Sequence, residues 1–257
     1  MMCMSIFQKK PKPQNKPHIK DKKMKFKTKL LILLNTLSMS AVALAEPEVA
    51  QKSLVEPIYV AQFETESLDN WEAKSFEGTT EYSIIEVAGK KLLQAKSDSS
   101  ASGIAKELII DLKKTPYLNW TWKVDTPLQQ MDETTKPGDD YAARLYVVKK
   151  GGWQIWKTIA LNYVWSSNKN TGDTWDNAFA GDNARMFALK DKSHMAQWQT
   201  EKRNVYQDMI DLYGDKGSDA ENEEAYRYID AVAIMTDTDN GGGKAEALYG
   251  DIYFTAE

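Results

Sequence analysis

The chain has 257 residues, of which 33 are Lys or Arg and 37 are Asp or Glu, and 42% are hydrophobic. Residues 1–45 hold 10 of those basic and 1 of those acidic side chains, so the rest carries 23 basic and 36 acidic groups, a net charge of −13. Phosphate backbones and anionic lipid repel such an acidic chain. We therefore expect no nucleic-acid partner. We expect a neutral or cationic ligand, unless a local basic pocket outweighs the net negative charge of the chain.

The first 45 residues have the pattern of an export signal. A basic stretch through Lys29 is followed by an apolar run from Leu30 and by small residues up to Ala45. This pattern predicts a signal peptide cleaved after Ala45, and a periplasmic or secreted protein. Polar residues interrupt the apolar run, which is shorter than the roughly 20 apolar residues of a spanning helix, so we expect no membrane insertion after cleavage rather than an uncleaved anchor. The start codon is either Met1 or Met24.

The rest of the chain predicts a single β-rich domain. Residues 46–57 form a polar lead-in, and residues 58–257 show recurrent strand-like alternation, as in "NWTWKV", where Trp120 and Trp122 share one face. The exception is "EKRNVYQDMIDLYG", whose apolar residues have helical spacing and whose Gly214 suits a helix C-cap. Many strands and one short helix, without strand–helix alternation, predict an all-β fold of β-sandwich type.

One strand has a polar face that suits ligand binding. In "DDYAARLYVV" the apolar Leu145 and Val147 point one way, which leaves Asp140, Arg144 and Tyr146 on the opposite face. Charged side chains on the outward face of a strand can line a concave surface of a sandwich. We expect Asp140 and Arg144 to lie there.

The exported part of the chain holds few of the side chains on which common enzyme chemistry depends. The only cysteine of the whole chain, Cys3, lies in the predicted signal segment, and His194 is the one histidine after residue 45. That excludes a thiol nucleophile and His-based zinc sites, and no phosphate-binding glycine loop is present. The remaining catalytic chemistry is a carboxylate pair in a glycan-acting hydrolase or lyase, chosen from Asp140, Glu201, Asp208 and Asp237.

The segment "DTDNGGG" raises the question of calcium. Asp237, Asp239 and Gly242 fit an EF-hand loop, but its fifth position is Gly241 and its twelfth is Leu248, so the motif fails. A glycine-permitted turn is the simpler interpretation. We expect no cofactor, and a structural calcium ion bound by oxygen ligands from several loops stays open.

Six segments resemble one bacterial secreted family. They are "TPYLNWTWKVD", "GDDYAARLYVV", "ALNYVWSSN", "EKRNVYQDM", "IDAVAIMTDTDN" and "YGDIYF", and together they are similar to domain of unknown function 3047, over about residues 60–255. The general pattern is also similar to jelly-roll carbohydrate-binding modules, in which the last strand often reads like "GDIYF". The resemblance implies a jelly-roll-like β-sandwich and supplies no activity.

The segment "LNYVWSSNKNTGDTWDN" places Trp175 among polar residues, where an exposed indole would serve as a sugar platform. We therefore predict an exported, non-catalytic domain that binds a saccharide or similar polyhydroxylated ligand. The alternatives are the glycan-acting enzyme and a periplasmic protein-interaction module. The candidate ligand-binding residues are Asp140, Arg144, Asn162, Trp165, Asn168, Trp175, Glu201, Asn204, Asp237 and Asp239.

Overall fold

A computed structural model describes residues 55–126 and 128–257. The predicted signal peptide and most of the polar lead-in lie outside the described residues. Within these two ranges the chain forms fourteen strands and two α-helices, which we number in chain order. None of the helices in the described residues is long and apolar enough to cross a membrane.

The strands form two sheets of seven. The first sheet contains β1 (Ile58–Ala61), β3 (Glu81–Val87), β4 (Lys90–Asp98), β6 (Tyr117–Val124), β11 (Gln199–Asn204), β13 (Lys244–Tyr249) and β14 (Ile252–Thr255). The second contains β2 (Glu72–Glu77), β5 (Ala101–Asp111), β7 (Ala143–Lys149), β8 (Ile159–Trp165), β9 (Thr174–Asn177), β10 (Gly181–Lys190) and β12 (Tyr228–Asp237). The predicted all-β sandwich of jelly-roll type is confirmed.

Sheet pairing joins distant parts of the chain. The second sheet has the order β2-β5-β12-β7-β8-β10-β9, so β12 lies between β5 and β7. The first has the order β1-β14-β6-β13-β4-β3, and β11 also pairs with β6. All pairs are antiparallel except β8 with β10.

Two short helices follow β11. The predicted helix is confirmed as α1 (Val205–Tyr213), which begins after the N-cap Asn204 and ends at Gly214, whose φ of 89° suits glycine. The second, α2 (Asp219–Tyr226), was not predicted. Its N-cap is Ser218, and only Asn222 and Tyr226 on it are buried, so its sequence lacks the apolar stripe that marks a packed helix.

The main core lies between the sheets. Trp120 and Trp122 are 1% and 0% exposed, as their alternation predicts, and their rings meet edge to face with centres 5.4 Å apart. Leu145 and Val147 of β7 face the same core. Arg144 and Tyr146 consequently point to the outer face of the second sheet, because successive strand residues alternate.

Candidate functional site

The outer face of the second sheet gathers aromatic, amide and charged side chains. Strand register sets one row of outward residues across β12, β7, β8, β10 and β9, namely Ala233, Tyr146, Asn162, Met186 and Trp175. Arg144 lies in the next row, beside Met235 of β12 and Val164 of β8. Residues far apart in the sequence therefore share one surface.

A small pocket opens on this face where β12 ends and β7 begins. Its enclosed volume of about 20 Å³ is room for about one water molecule. Phe76 is only partly buried, whereas the Tyr146 ring is 3% exposed and forms part of the floor. The lining comprises Phe76, Asp139, Arg144, Tyr146, Asn177, Met235, Asp237 and Asn240.

Arg144 is the buried cation of the pocket. Its guanidinium is paired directly with Asp237, lies 3.9 Å from the carboxylate of Asp139, and has its Cζ 4.3 Å from the centre of the Tyr141 ring. A buried charge is costly unless it is paired. The carboxylates and the ring face supply that compensation, although the Nε atom of Arg144 has no hydrogen-bond partner among the described residues.

Carboxylates outnumber this cation. Burial, together with the nearby charges of Asp139 and Asp140, raises the pKa of Asp237 to about 8 despite the opposing attraction of Arg144. Burial also raises the pKa of Asp139, again against the attraction of Arg144. For Asp239 the pKa is raised by burial and by the charge of Asp140. The like charges of neighbouring aspartates, which contribute to these raised pKa values, disfavour a further anion in the pocket.

Side-chain and backbone amide groups hold the carboxylates in fixed positions. The Nδ2 atom of Asn177 donates to both oxygens of Asp139, at 2.9 and 3.1 Å. Asp140 accepts hydrogen bonds from the backbone of Asn240 at 3.1 Å and of Gly241 at 2.6 Å. These bonds leave further lone pairs on the carboxylates free to accept hydroxyl groups.

Three of these carboxylates could share one cation. Oxygen atoms of Asp140, Asp237 and Asp239 lie within 4.8 Å of one another. Calcium–oxygen bonds of 2.3–2.6 Å allow ligand atoms to be at most about 5 Å apart. The spacing and the oxygen donors fit Ca²⁺, whereas the contact of Arg144 with Asp237 opposes a second cation. Asp237 and Asp239 of the "DTD" segment therefore lie close to Asp140, which is almost a hundred positions earlier in the sequence.

The expectation that Trp175 is an exposed loop residue is wrong. It lies in β9, is 8% exposed, and stacks on Tyr141 with ring centres 6.5 Å apart. Pairing of β9 with β10 puts it beside Met186, in a small apolar cluster that also contains Val164. A ring buried in this way has no face left for a sugar, so Trp175 supports the pocket wall instead of forming a platform.

Four of the candidate residues are nevertheless connected. Asp140 lies beside Asp237, Asp237 pairs with Arg144, and both Arg144 and Trp175 contact the Tyr141 ring. Asn162 shares the same sheet face, with its amide donating to the backbone oxygen of Ala160 at 2.8 Å. That any of them binds a ligand stays a prediction.

Asn168, another candidate, is exposed in the loop between β8 and β9. Its backbone N–H donates to the Ser166 hydroxyl at 3.2 Å. The neighbouring Lys169 lies 6.0 Å from the Trp175 ring. Asn168 is therefore near the buried indole and outside the pocket lining.

The remaining candidates have structural contacts elsewhere. Trp165 packs edge to face on Trp122, with ring centres 5.7 Å apart, and Glu201 accepts from the Trp122 indole at 3.0 Å. Asn204 is the N-cap of α1. Asp208, an alternative catalytic acid, accepts from the Tyr163 hydroxyl at 2.5 Å and pairs with Arg203. The predicted acids therefore separate into a pocket group and a core group.

Sequence reasoning left several pocket residues out of the candidate set. Tyr146 has a signal in the sequence, since alternation places it on the face of Arg144. Asn240 directly follows Asp239, and Asn177 closes the "TWDN" strand. For Phe76 the sequence holds no signal, because it comes from β2 at the far end of the sheet order.

A second cavity lies at the end of the sheets near Trp165. It has a volume of about 120 Å³, and its lining includes Val124, Leu128 and Met195 with the polar Ser166 and Ser167. No carboxylate is among its described lining residues. Its other polar lining residues are Gln130 and Lys192, so in the part of the chain that the structure describes it lacks the carboxylate acceptors that the outer-face pocket offers to hydroxyl groups.

A family model described as a protein of unknown function, DUF3047, matches residues 69–253. The chain belongs to this family. A search of curated proteins finds no match.

Solved structures with a similar fold include carbohydrate-binding modules. A family 11 module from Clostridium thermocellum, in complex with a mixed-linked tetrasaccharide, has 15% identity and a TM-score of 0.41, covering 79% of this chain and 97% of that one. A family 30 module of a cellulosomal cellulase of the same organism has 12% identity and a TM-score of 0.43, with coverages of 79% and 99%. The xyloglucanase domain of a Sinorhizobium fredii effector has 11% identity and a TM-score of 0.41, with coverages of 75% and 96%. These distant likenesses leave function to be argued from the residues of this DUF3047 chain.

Proposed function

We propose that this DUF3047 domain binds a saccharide, without transforming it, on the outer face of its second sheet. The observation that carries the proposal is the pocket in which a partly exposed ring, Phe76, adjoins fixed carboxylate and amide groups. A pyranose has an apolar face and polar edges, and such a combination suits both. Because the enclosed space holds about one water molecule, the sugar lies across the opening and one hydroxyl enters it.

The polar contacts follow from the same geometry. Asp139 is held by Asn177 and has lone pairs that can accept a hydroxyl. Asn240, whose Nδ2 atom lies 3.5 Å from the backbone oxygen of Asp139, adds an amide to the lining. The surplus of carboxylates over Arg144 favours neutral or amino sugars over uronic acids. A rigid, prearranged set of groups lowers the entropy cost of binding.

The catalytic alternative rests on Asp140 and Asp237, whose oxygen atoms approach within 4.8 Å. Asp237 is 2% exposed and committed to Arg144. A general acid must reach the glycosidic oxygen of its substrate. Asp237 is therefore better placed to hold the pocket together than to transfer a proton, and the protein-interaction alternative would leave the pocket groups without a ligand.

The test is a glycan array on the purified full chain, followed by calorimetric titration of the glycans retained and by analysis of products. Phe76→Ala and Asp139→Asn should each weaken binding at least tenfold. Asp98→Asn is the control for the carboxylate change, since Asp98 is exposed and pairs with Lys244 at 3.0 Å. Retention of no glycan, or equal affinity in the pocket and control variants, would contradict the proposal. Release of shortened products would establish the enzyme instead.

A structural calcium ion at Asp140, Asp237 and Asp239 is part of the same proposal. The support is the spacing of their oxygen atoms and the carboxylate character of the donors. An ion there would fix the loop after β12 next to the pocket. Calcium titration by calorimetry, with Asp239→Asn as the variant that removes one ligand, tests this part independently of glycan binding.

A further inference from the structure

The loop between β7 and β8 exposes large apolar side chains at one end of the second sheet. Trp153 is 82% exposed, Trp156 is 58% exposed and Ile155 is 49% exposed, all within four positions. Ile109 of β5 and Tyr228 of β12 are 74% and 43% exposed, at the end of the sheet from which this loop also leaves. Concentrated exposed apolar surface of this kind marks an interaction site.

The loop holds these rings outward in a defined conformation. Gln154 donates its backbone N–H to Gly151 at 3.0 Å, and Lys157 donates to Gln154 at 2.8 Å. The Gly151 N–H donates to the Thr158 hydroxyl at 3.1 Å. A Cβ at Gly151 would collide with the carbonyl oxygen of Gln154, so only glycine fits this turn. These bonds fix the backbone of the loop, and its exposed apolar side chains are available to a partner.

The charge of the loop is opposite to that of the domain. Residues 149–158, "KKGGWQIWKT", contain three lysines and no acidic residue. Lys150 is paired with Glu107, but Lys149 and Lys157 have no acidic partner in the parts of the chain that the structure describes. The loop segment itself therefore carries a net positive charge, with Asp230 beside it accepting the Lys150 backbone N–H at 2.7 Å.

The arrangement of the two indoles narrows the choice of partner. Their rings are 6.2 Å apart and inclined at 85°, so they cannot both lie flat on one planar glycan surface. A projecting tip with Trp and Lys matches the lipid–water interface, where indole rings settle at headgroup level and lysines attract anionic headgroups. A bilayer deforms around such a tip without needing a complementary groove.

We propose that the β7–β8 loop is a peripheral anchor that inserts Trp153, Ile155 and Trp156 into the interface of an anionic phospholipid membrane. This site is separate from the saccharide pocket, which lies where β7 begins, whereas the anchor follows the residue at which β7 ends. Glycan binding and lipid binding can therefore fail independently.

The test is quenching of tryptophan fluorescence in the full chain by vesicles of brominated phosphatidylglycerol. Residues 1–54 contain no tryptophan, so quenching reports on the domain even if the N-terminal segment also binds vesicles. Two of the eight tryptophans lie in the loop, so about a quarter of the emission should be lost at saturation. The double variant Trp153→Ala with Trp156→Ala should lose this quenching. Trp198→Ala is the matched control, because Trp198 is 44% exposed elsewhere, and should keep it.

The lysines provide a second measurement. Lys149→Gln and Lys157→Gln should each raise the lipid concentration for half-maximal quenching about fivefold. Undiminished quenching in the double tryptophan variant, none in the wild type, or equal quenching by brominated phosphatidylcholine would overturn the proposal. So would a dimer, seen by analytical ultracentrifugation, that the double variant abolishes, since the loop would then join two copies. Unchanged glycan affinity in the double variant would support two separate sites.

Discussion

Replacing each core tryptophan by phenylalanine should separate the value of a hydrogen bond from that of ring packing. Trp122 and Trp120 are 0% and 1% exposed, and both pack in the same intersheet core. The Trp122 indole donates to Glu201 at 3.0 Å, whereas the Trp120 indole has no hydrogen-bond partner among the described residues. Both substitutions remove a similar ring volume, so the lost packing is comparable.

The difference between the variants therefore reports on the bond to Glu201. A hydrogen bond to a charged group contributes about 1.5–3 kcal/mol, so Trp122→Phe should lower the free energy of unfolding by that much more than Trp120→Phe. Glu201 keeps its pairing with Lys190 at 3.1 Å, which favours the lower half of the range. Urea unfolding followed by circular dichroism measures both values. Equal losses, or a larger loss for Trp120→Phe, would refute the reasoning.

Three further outcomes are expected. Calcium at about a hundred times its dissociation constant should add about 2.7 kcal/mol of stability and raise the melting temperature by roughly 5–10 °C, and Asp239→Asn should abolish the shift in calorimetry. Since the folded-state pKa of Asp237 is raised to about 8 from 3.8, its contribution to stability is full below pH 3.8 and is lost as pH rises through 8. Urea unfolding from pH 5 to 9 should show a decline that is smaller in Asp237→Asn; an identical slope would contradict the assignment. Intact mass of the protein recovered after export should begin at Glu46, and a mass that retains Met24 would exclude cleavage after Ala45.

The error at Trp175 has a definite cause. Its neighbours "GDTWDN" have the composition of a turn, and such a composition predicts an exposed side chain. The residue instead joins an edge strand whose partner, β10, begins at Gly181. Pairing turns the indole onto the sheet face, where Tyr141 and Met186 cover it. Exposure of a large ring in a polar segment thus depends on a pairing that the segment itself does not reveal.

The sequence by itself determined the fold class and the faces of individual strands. Alternation has a period of two residues and is a local property, so it placed Trp120 and Trp122 in the core and Arg144 outside it. Helical spacing of apolar residues, which is also a local property, located α1 and its end at Gly214. The sequence also indicated Asp140, Asp237 and Asp239 individually as candidate ligand-binding residues.

Only the tertiary structure decided which of those residues meet. The pocket depends on β12 lying beside β7, which brings Asp237 to Arg144, and on β2 contributing Phe76 from the far edge of the sheet. It also assigned Glu201 to the core, beside a tryptophan that alternation alone could not pair with it. Strand order depends on the packing of both sheets as a whole, and the alternation of one segment fits many neighbours equally well.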